Sequence, residues 1–440
     1  MGPMPWRAAL LAALLIAPTS VLAEPVSDTN PPAETPAPLQ LPNGWQIDEQ
    51  LLDLPDWVDL GINVTAEPMA NPLGGERQRA GWMGQTSLVL DVGPGLTRPQ
   101  AQWREPDHWQ LNLTLNHYTG DPAYSLDIGA LFPLQQIAYP SGALLSEASL
   151  TRNAGDGWLE LKGGILPLNP DFISSPIFDL YVHSSFNDTL NIALNGLPIS
   201  PYAAFGGTVA IQPSPDLQVR YGWFNLSSTE PLAEWLGSPR PFVGFADGSA
   251  QLLQLSWSPA ALGADADTPI QACRTARGVV RHRPSCQHTI AVANQLPGGL
   301  IQLGGFHTSS QSRGLYGSAT LRSGVPLGLD DRIWIGGALS GGQAGAISPS
   351  FLAAGLVVQG IIPDRPFDLL LLAAGRAGLQ QGSVPDWTST YEAMVELGYQ
   401  VRLNNNLMLQ PTVQWILNPS ADPQPVPGIL AAGLQLIANF

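Results

Sequence analysis

From about Trp57 to its last residue this chain alternates apolar and polar side chains at every second position, in one segment after another. Trp109, Leu111, Leu113 and Leu115 interleave with Gln110, Asn112, Thr114 and Asn116. Leu217, Val219, Tyr221 and Trp223 interleave with Gln218, Arg220 and Gly222, and the same rhythm runs through 315–322 and 391–402. A period of two puts successive side chains on opposite faces of a strand. Repeated segments of about ten residues, with one apolar and one polar face, are the pattern of membrane-spanning strands.

Sixteen such segments start near 57, 81, 108, 144, 157, 201, 216, 249, 299, 314, 331, 350, 367, 390, 407 and 428. A further candidate near Tyr124 is set aside, because a single-chain bacterial barrel with both ends in the periplasm needs an even count. The expected fold is all-β, a sixteen-stranded antiparallel transmembrane β-barrel over residues 57–440. Short turns at Asn153–Asp156, Pro213–Pro215 and Asn404–Asn406 fall at one end, and the longer connections 167–200 and 227–248 at the other. Short periplasmic turns opposite long outer loops are the normal asymmetry. Residues 259–298 break it, being long on the short-turn side. Either they are a periplasmic insertion or the count is off by a pair there.

The N-terminal residues have a different character. Arg7 precedes a continuous apolar run from Ala8 to Ala17, and Val21-Leu22-Ala23 supplies small residues about a cut. That is the layout of a cleaved secretory signal over residues 1–23, and its apolar core is shorter than the roughly 20 residues of a membrane-spanning helix. Residues 24–56 begin as a stretch rich in Pro, Thr and Ala and read as an unfolded periplasmic leader. Charged residues make up 12% of the chain, against roughly 25% in soluble domains. With 46 Gly and 42 Pro, a helical protein is excluded, and a soluble sandwich would carry more surface charge. A net charge of −16 and one lysine, Lys162, exclude nucleic acid as a partner, since phosphate binding needs a basic face.

In a barrel the polar face of each strand looks inward. This nominates Glu147, Glu160, Lys162, Arg220, Arg322, Arg376, Glu392 and Glu396 as pore-lining charges of both signs, with Gln110, Asn112, Asn116, Gln218, Gln410, Gln414 and Gln435 as neutral neighbours. Trp158 and Tyr202 are placed inward beside Glu160 and Lys162, the pair favoured as substrate contact, with Arg220 next. The connection 167–200 carries Phe172, Phe178, Tyr181 and Phe186 and either folds inward as a constriction or packs over the rim. Trp109, Trp223, Trp257, Tyr391 and Trp415 lie near strand ends on the outward face, as a membrane-interface girdle would.

Cys273 and Cys286, the only cysteines of an exported chain, are expected to form a disulfide in the 259–298 connection. His282 and His288 lie nearby, but the spacing lacks the close cysteine pair of a zinc site, and no metal or other cofactor is expected. Arg274, Arg277, Arg281 and Arg283 read as a solvated basic loop. His183-Ser184-Ser185 is the one cluster suggestive of a hydrolase, and adjacency in sequence is not triad geometry. An active transporter of 22 strands with a plug needs a longer chain.

The final segment runs from Gly428 to Phe440, with Leu430, Leu434, Leu436, Ala438 and Phe440 on one face. It resembles the terminal strand of bacterial outer-membrane proteins, whose closing aromatic is read by the barrel-assembly machinery. Several stretches resemble the OprB-like carbohydrate-selective porins. They are Gly61 with the Asn71-Pro72-Leu73-Gly74-Gly75 loop, Leu159 to Leu166 followed by Asp171-Phe172, and Pro201 to Gly207. Gly355-Leu356 with Gly360, Ile361, Pro363, Arg365, Pro366 and Asp368 is another, as is Tyr391-Glu392 followed by Leu409 to Ile416 and Pro419. The resemblance implies a sixteen-stranded outer-membrane channel, not an enzyme, through which glucose, related sugars and similar small hydrophilic solutes diffuse passively. It leaves open whether the channel is a monomer or a trimer. The Cys273–Cys286 segment and the scarcity of basic lumen residues depart from the family pattern. A general or ion-selective pore without sugar preference is the alternative.

Overall fold

The computed structural model describes residues 54–55, 57–93, 107–155, 157–187, 195–235, 244–259, 262, 296, 299–310, 312–324, 327–341, 347–381, 388–404 and 406–440. The expected signal peptide, most of the leader, and the Cys273, Cys286, His282, His288 and arginine-rich segment lie outside the described residues.

Sixteen strands form one closed antiparallel barrel in which each pairs with its neighbours in sequence. The first eight are β1 (Val58–Leu73), β2 (Ala80–Val92), β3 (His108–Gly120), β4 (Gly142–Ala154), β5 (Leu159–Leu166), β6 (Ala204–Ser214), β7 (Leu217–Asn225) and β8 (Ser249–Trp257). The rest are β9 (Leu300–Thr308), β10 (Arg313–Leu321), β11 (Asp330–Gly341), β12 (Ser350–Gln359), β13 (Leu369–Gly378), β14 (Tyr391–Arg402), β15 (Leu407–Leu417) and β16 (Ile429–Asn439). Every strand begins within three residues of its expected start. β1 closes on β16 with Ala66 opposite Leu436, and Phe440 exchanges backbone hydrogen bonds with Ile62 at 2.8 and 2.9 Å. Closure leaves no open sheet edge, the condition for crossing hydrocarbon with strands.

β8 pairs directly with β9, Trp257 opposite Ile301, so no strand pair is missing at the long 259–298 connection. The rejected segment at Tyr124 is a one-turn helix, α1 (Tyr124–Asp127), in the β3–β4 connection. The alternation has its expected physical meaning: Trp109, Leu111, Tyr221, Trp223, Leu315 and Leu397 are exposed on the outward face, while Gln110, Asn112, Arg220 and Glu396 are buried on the inward one. Exposed Trp57, Trp109 and Trp257 mark the end where β1 begins and the chain ends at Phe440, and Trp82, Trp223 and Trp415 the other. Two aromatic belts are what the two membrane–water interfaces select.

The interior is not an open tube along its length. The β3–β4 connection (121–141) and the described parts of the β5–β6 connection (167–187 and 195–203) turn into the barrel and pack in one buried core with wall residues of many strands.

Candidate functional site: the in-folded connections and their charged wall

The β5–β6 connection crosses the lumen from one wall to the other. Near its start Phe172 packs edge-to-face on Phe224 of β7, with ring centroids 6.1 Å apart. The neighbouring wall position is Gly222, where a Cβ would lie 2.6 Å from the Phe172 ring, so only glycine leaves room for it. Ile173 adopts a left-handed φ of 73°, rare for a β-branched residue, and its N–H is held by Gln254 of β8 at 2.9 Å. On the far side Tyr181 accepts a hydrogen bond from Trp334 of β11 at 2.8 Å, and Phe178 and Phe186 pack around the same indole. Gly375 of β13 makes the space for Phe186, a Cβ there falling 2.8 Å from its ring. Of the two alternatives for this connection, packing over the rim is overturned: it folds inward.

The β3–β4 connection follows the same scheme. Arg79 pairs with Asp121 and Asp127, and Tyr124 Oη donates to Asn71 at 3.4 Å. Asn71 also donates to the carbonyls of Gly74 and Arg77, which explains why an asparagine begins that loop. Further along, Gln414 Nε2 donates to the Leu134 carbonyl at 2.9 Å, and Gln135 Nε2 to that of Glu67. The two connections meet where the Ser184 N–H donates to Pro133 at 3.1 Å.

Under the β5–β6 connection lies a five-residue charge network. Lys162 of β5 is 2.7 Å from Glu147 of β4 and 3.5 Å from Asp171. Arg220 of β7 is 2.7 Å from Glu160 of β5 and 3.4 Å from the same Asp171. Between Glu160 and Arg220 stands Ala210 of β6, in register with both, and its small side chain lets the pair close across a whole strand. All five side chains are between 1 and 6% exposed. Two cations face three carboxylates with the signs interleaved, and Thr208 and Gln218 offer oxygens to the Arg220 guanidinium at 3.3 and 3.4 Å.

Four expectations need correction. Glu160 and Lys162 share a face but are not each other's partners: Lys162 goes to Glu147 and Glu160 to Arg220, with Asp171 of the connection between them. Trp158 lies in the turn before β5, half-exposed at the same end as Trp57 and Trp109, and not beside Lys162. Tyr202 is buried at the opposite end, packed edge-to-face with Tyr139 and Phe245 at centroid distances of 6.1 and 5.0 Å, six residues from Thr208, which faces Lys162. Arg376 sits on the outward face with Leu372 and Ala374, its guanidinium 4.6 Å over the Tyr391 ring. The Leu369–Ala374 run does not alternate, so it carries no parity by which to place Arg376. A cation beside an interfacial aromatic reaches the polar headgroups.

Arg322 lies just past β10 at the terminus-bearing end, half-exposed and paired with Asp330 at 2.7 Å. Glu392 and Glu396 do face inward, but both are fully buried and accept hydrogen bonds from the two connections. Two participants were missed by sequence reading. Asp171 lay in a connection, where parity says nothing. Glu67 of β1 shares the inward face of Asn63 and Thr65, a period-two signal the sequence carries, and it accepts from Gln435 at 2.6 Å. His183 serves the fold: the Ser185 N–H donates to its Nδ1 at 3.2 Å and its ring lies 5.5 Å from Phe186. Among the described residues no group of His, Cys, Asp and Glu is placed to hold a metal ion.

At the terminus-bearing end, Asp368 accepts from Arg365 at 2.8 and 3.0 Å, from Tyr399 at 3.2 Å and from the Arg402 N–H at 3.0 Å. The clasp ties the β12–β13 turn to β14 and gives a structural reason for the Arg365–Pro366–Asp368 motif.

Comparison with known proteins agrees with this architecture. The high-pH structure of Pseudomonas putida OprB superposes with a TM-score of 0.68 at 16% identity, covering 89% of this chain and 96% of that one. Its low-pH structure gives 0.51 at 15%, covering 89% and 95%. Salmonella typhi OmpF, solved with daunomycin, gives 0.51 at 8%, covering 88% and 98%. At these identities the likeness is one of fold. No curated relative matches this chain. The model of the carbohydrate-selective porin family, OprB, matches residues 107–440, leaving only the Gly61 and Asn71–Gly75 stretches upstream of it. The chain belongs to the OprB family of carbohydrate-selective porins and is an outer-membrane sugar channel.

Proposed function

We propose that sugars cross this barrel by passive diffusion past a constriction made by the two in-folded connections, with Glu147, Glu160, Lys162 and Arg220 supplying its polar wall. The observation that carries this reading is the interleaved charge network beneath the β5–β6 connection. A sugar is uncharged and rich in hydroxyls, so it gains from donors and acceptors held side by side, and nothing from a field of one sign. Fixed partners replace the water hydrogen bonds that a hydroxyl gives up on entering a narrow site, as in other selective pores. Arg322, at the mouth, and the outward Arg376 take no part in that wall.

Export with cleavage after Ala23 and reading of Phe440 by the barrel-assembly machinery complete the proposal. The three-part N-terminal layout supports the first, and the outward placement of Phe440 with Leu434, Leu436 and Ala438 the second. Liposome swelling tests the transport reading. Vesicles holding the purified porin should swell several-fold faster in a hexose than in a similar-sized zwitterionic or anionic solute. Equal rates for all three would make it a general pore.

A further inference from the structure

Glu392 and Glu396 stand four residues apart on the inward face of β14. Each carboxylate captures two consecutive backbone N–H groups, and each from a different in-folded connection. Glu392 accepts from Leu131 at 3.0 Å and Phe132 at 3.1 Å. Glu396 accepts from Val182 at 2.9 Å and His183 at 2.8 Å. A third donor completes each set: the Ser420 N–H reaches Glu392 at 2.8 Å, and the Thr412 hydroxyl reaches Glu396 at 3.3 Å.

Successive amides aimed at one anion make a concave anion site, here built from the connection around a carboxylate of the wall. Hydrogen bonds to a charged acceptor are roughly twice as strong as neutral ones. Both carboxylates are fully buried, and among the described residues neither forms an ion pair with a cationic side chain. The amides therefore offset their burial, and removing either carboxylate leaves buried N–H groups without an acceptor. Because both sites lie on one strand, the separation of the two connections is fixed by four residues of β14. The contact between the connections, Ser184 N–H to the Pro133 carbonyl, falls in each on the residue that directly follows the captured amides.

We propose that Glu392 and Glu396 are positioning residues that set the bore of the channel, and with it the largest sugar that passes. The inference rests on the reading that the in-folded connections form the constriction. Loss of one clamp frees one connection and admits longer oligosaccharides, while the barrel wall stays closed.

The test uses the full-length porin with Glu392→Ala, Glu396→Ala and the milder Glu396→Gln, which keeps one acceptor oxygen for the three donors. Heat-modifiable migration identifies the folded barrels, and Glu396→Gln carries the test if the alanine variant fails to fold. Two quantities are read: hydrogen exchange at 131–134 and 181–187, and the swelling rate in a trisaccharide relative to a monosaccharide. Glu396→Ala should lose protection at 181–187 and raise the ratio at least threefold. Glu392→Ala should lose protection at 131–134 with the same rise, and Glu396→Gln should fall between wild type and Glu396→Ala. Unchanged protection overturns the clamp and leaves the constriction reading standing. Lost protection with an unchanged ratio overturns the role in setting the bore, and the constriction reading with it.

Discussion

Asp171 joins Lys162 to Arg220, and so a residue of the connection completes a circuit otherwise made by the wall. Buried ion pairs add little net stability over apolar residues of the same shape, yet breaking one by removing a single partner costs about 3–5 kcal/mol. Lys162→Glu does more than remove a partner, because it sets a third carboxylate against Glu147 and Asp171. Its folded form should unfold at a lower temperature, and the surviving channels should shift toward cations. Reversal potential in a salt gradient checks this, and a value equal to wild type would remove Lys162 from the conduction path. His183 supplies a pH dependence at the same scale. Burial pulls its imidazole down to about 3, from an ordinary value near 6.5, so the folded connection holds it neutral. A depressed histidine favours the fold fully above about pH 6.5, and that preference is lost as pH falls from there toward 3. Glu396 accepts from the backbone N–H of the same residue. Hydrogen exchange over 181–187, corrected for intrinsic rates, should show weaker protection at pH 4.5 than at pH 7. The drop should shrink in His183→Gln, and an undiminished drop there would assign it to another group.

Each strand has one face toward lipid and one toward the interior, and that double constraint is why the start of every strand was legible in the sequence to within three residues. Where the constraint lapses, legibility does too. Arg376 follows Leu369–Ala374, a run with no alternation, and its face could be read only from the register of β13 with β12 and β14. Alternation also says nothing about where a connection goes once it leaves the wall. The signals for in-folding were of another kind: aromatics crowded into a connection, at Phe172, Phe178, Tyr181 and Phe186, and glycines among the inward positions of the strands they meet. Gly222 tests that pairing of wall and connection. Gly222→Val places a branched side chain where the Phe172 ring lies, so the connection must shift while the β7 ladder persists. Conductance should change by twofold or more with little loss of heat-modifiable barrel. Unchanged conductance would mean that the Phe172 stretch does not bound the conduction path.

At the largest scale, the described residues form a closed sheet with a mostly apolar exterior, two aromatic belts and an interior narrowed by its own connections. The wall supplies carboxylates and amides at fixed depths, and the connections bring backbone groups to meet them. On the proposed reading, the bore follows from where the connections are held and the solute preference from the interleaved charges of the wall. Parity nominates the wall residues Glu160, Lys162 and Arg220, while Asp171, which pairs with Lys162 and Arg220, comes from a segment that parity cannot address. A titration of sugar against single channels in a planar bilayer tests the sugar reading most directly. A constriction that binds its solute should lose conductance in a saturable way as glucose is added, beyond the loss caused by a non-sugar of equal size and viscosity. Conductance that tracks bulk viscosity alone would contradict a sugar-binding constriction.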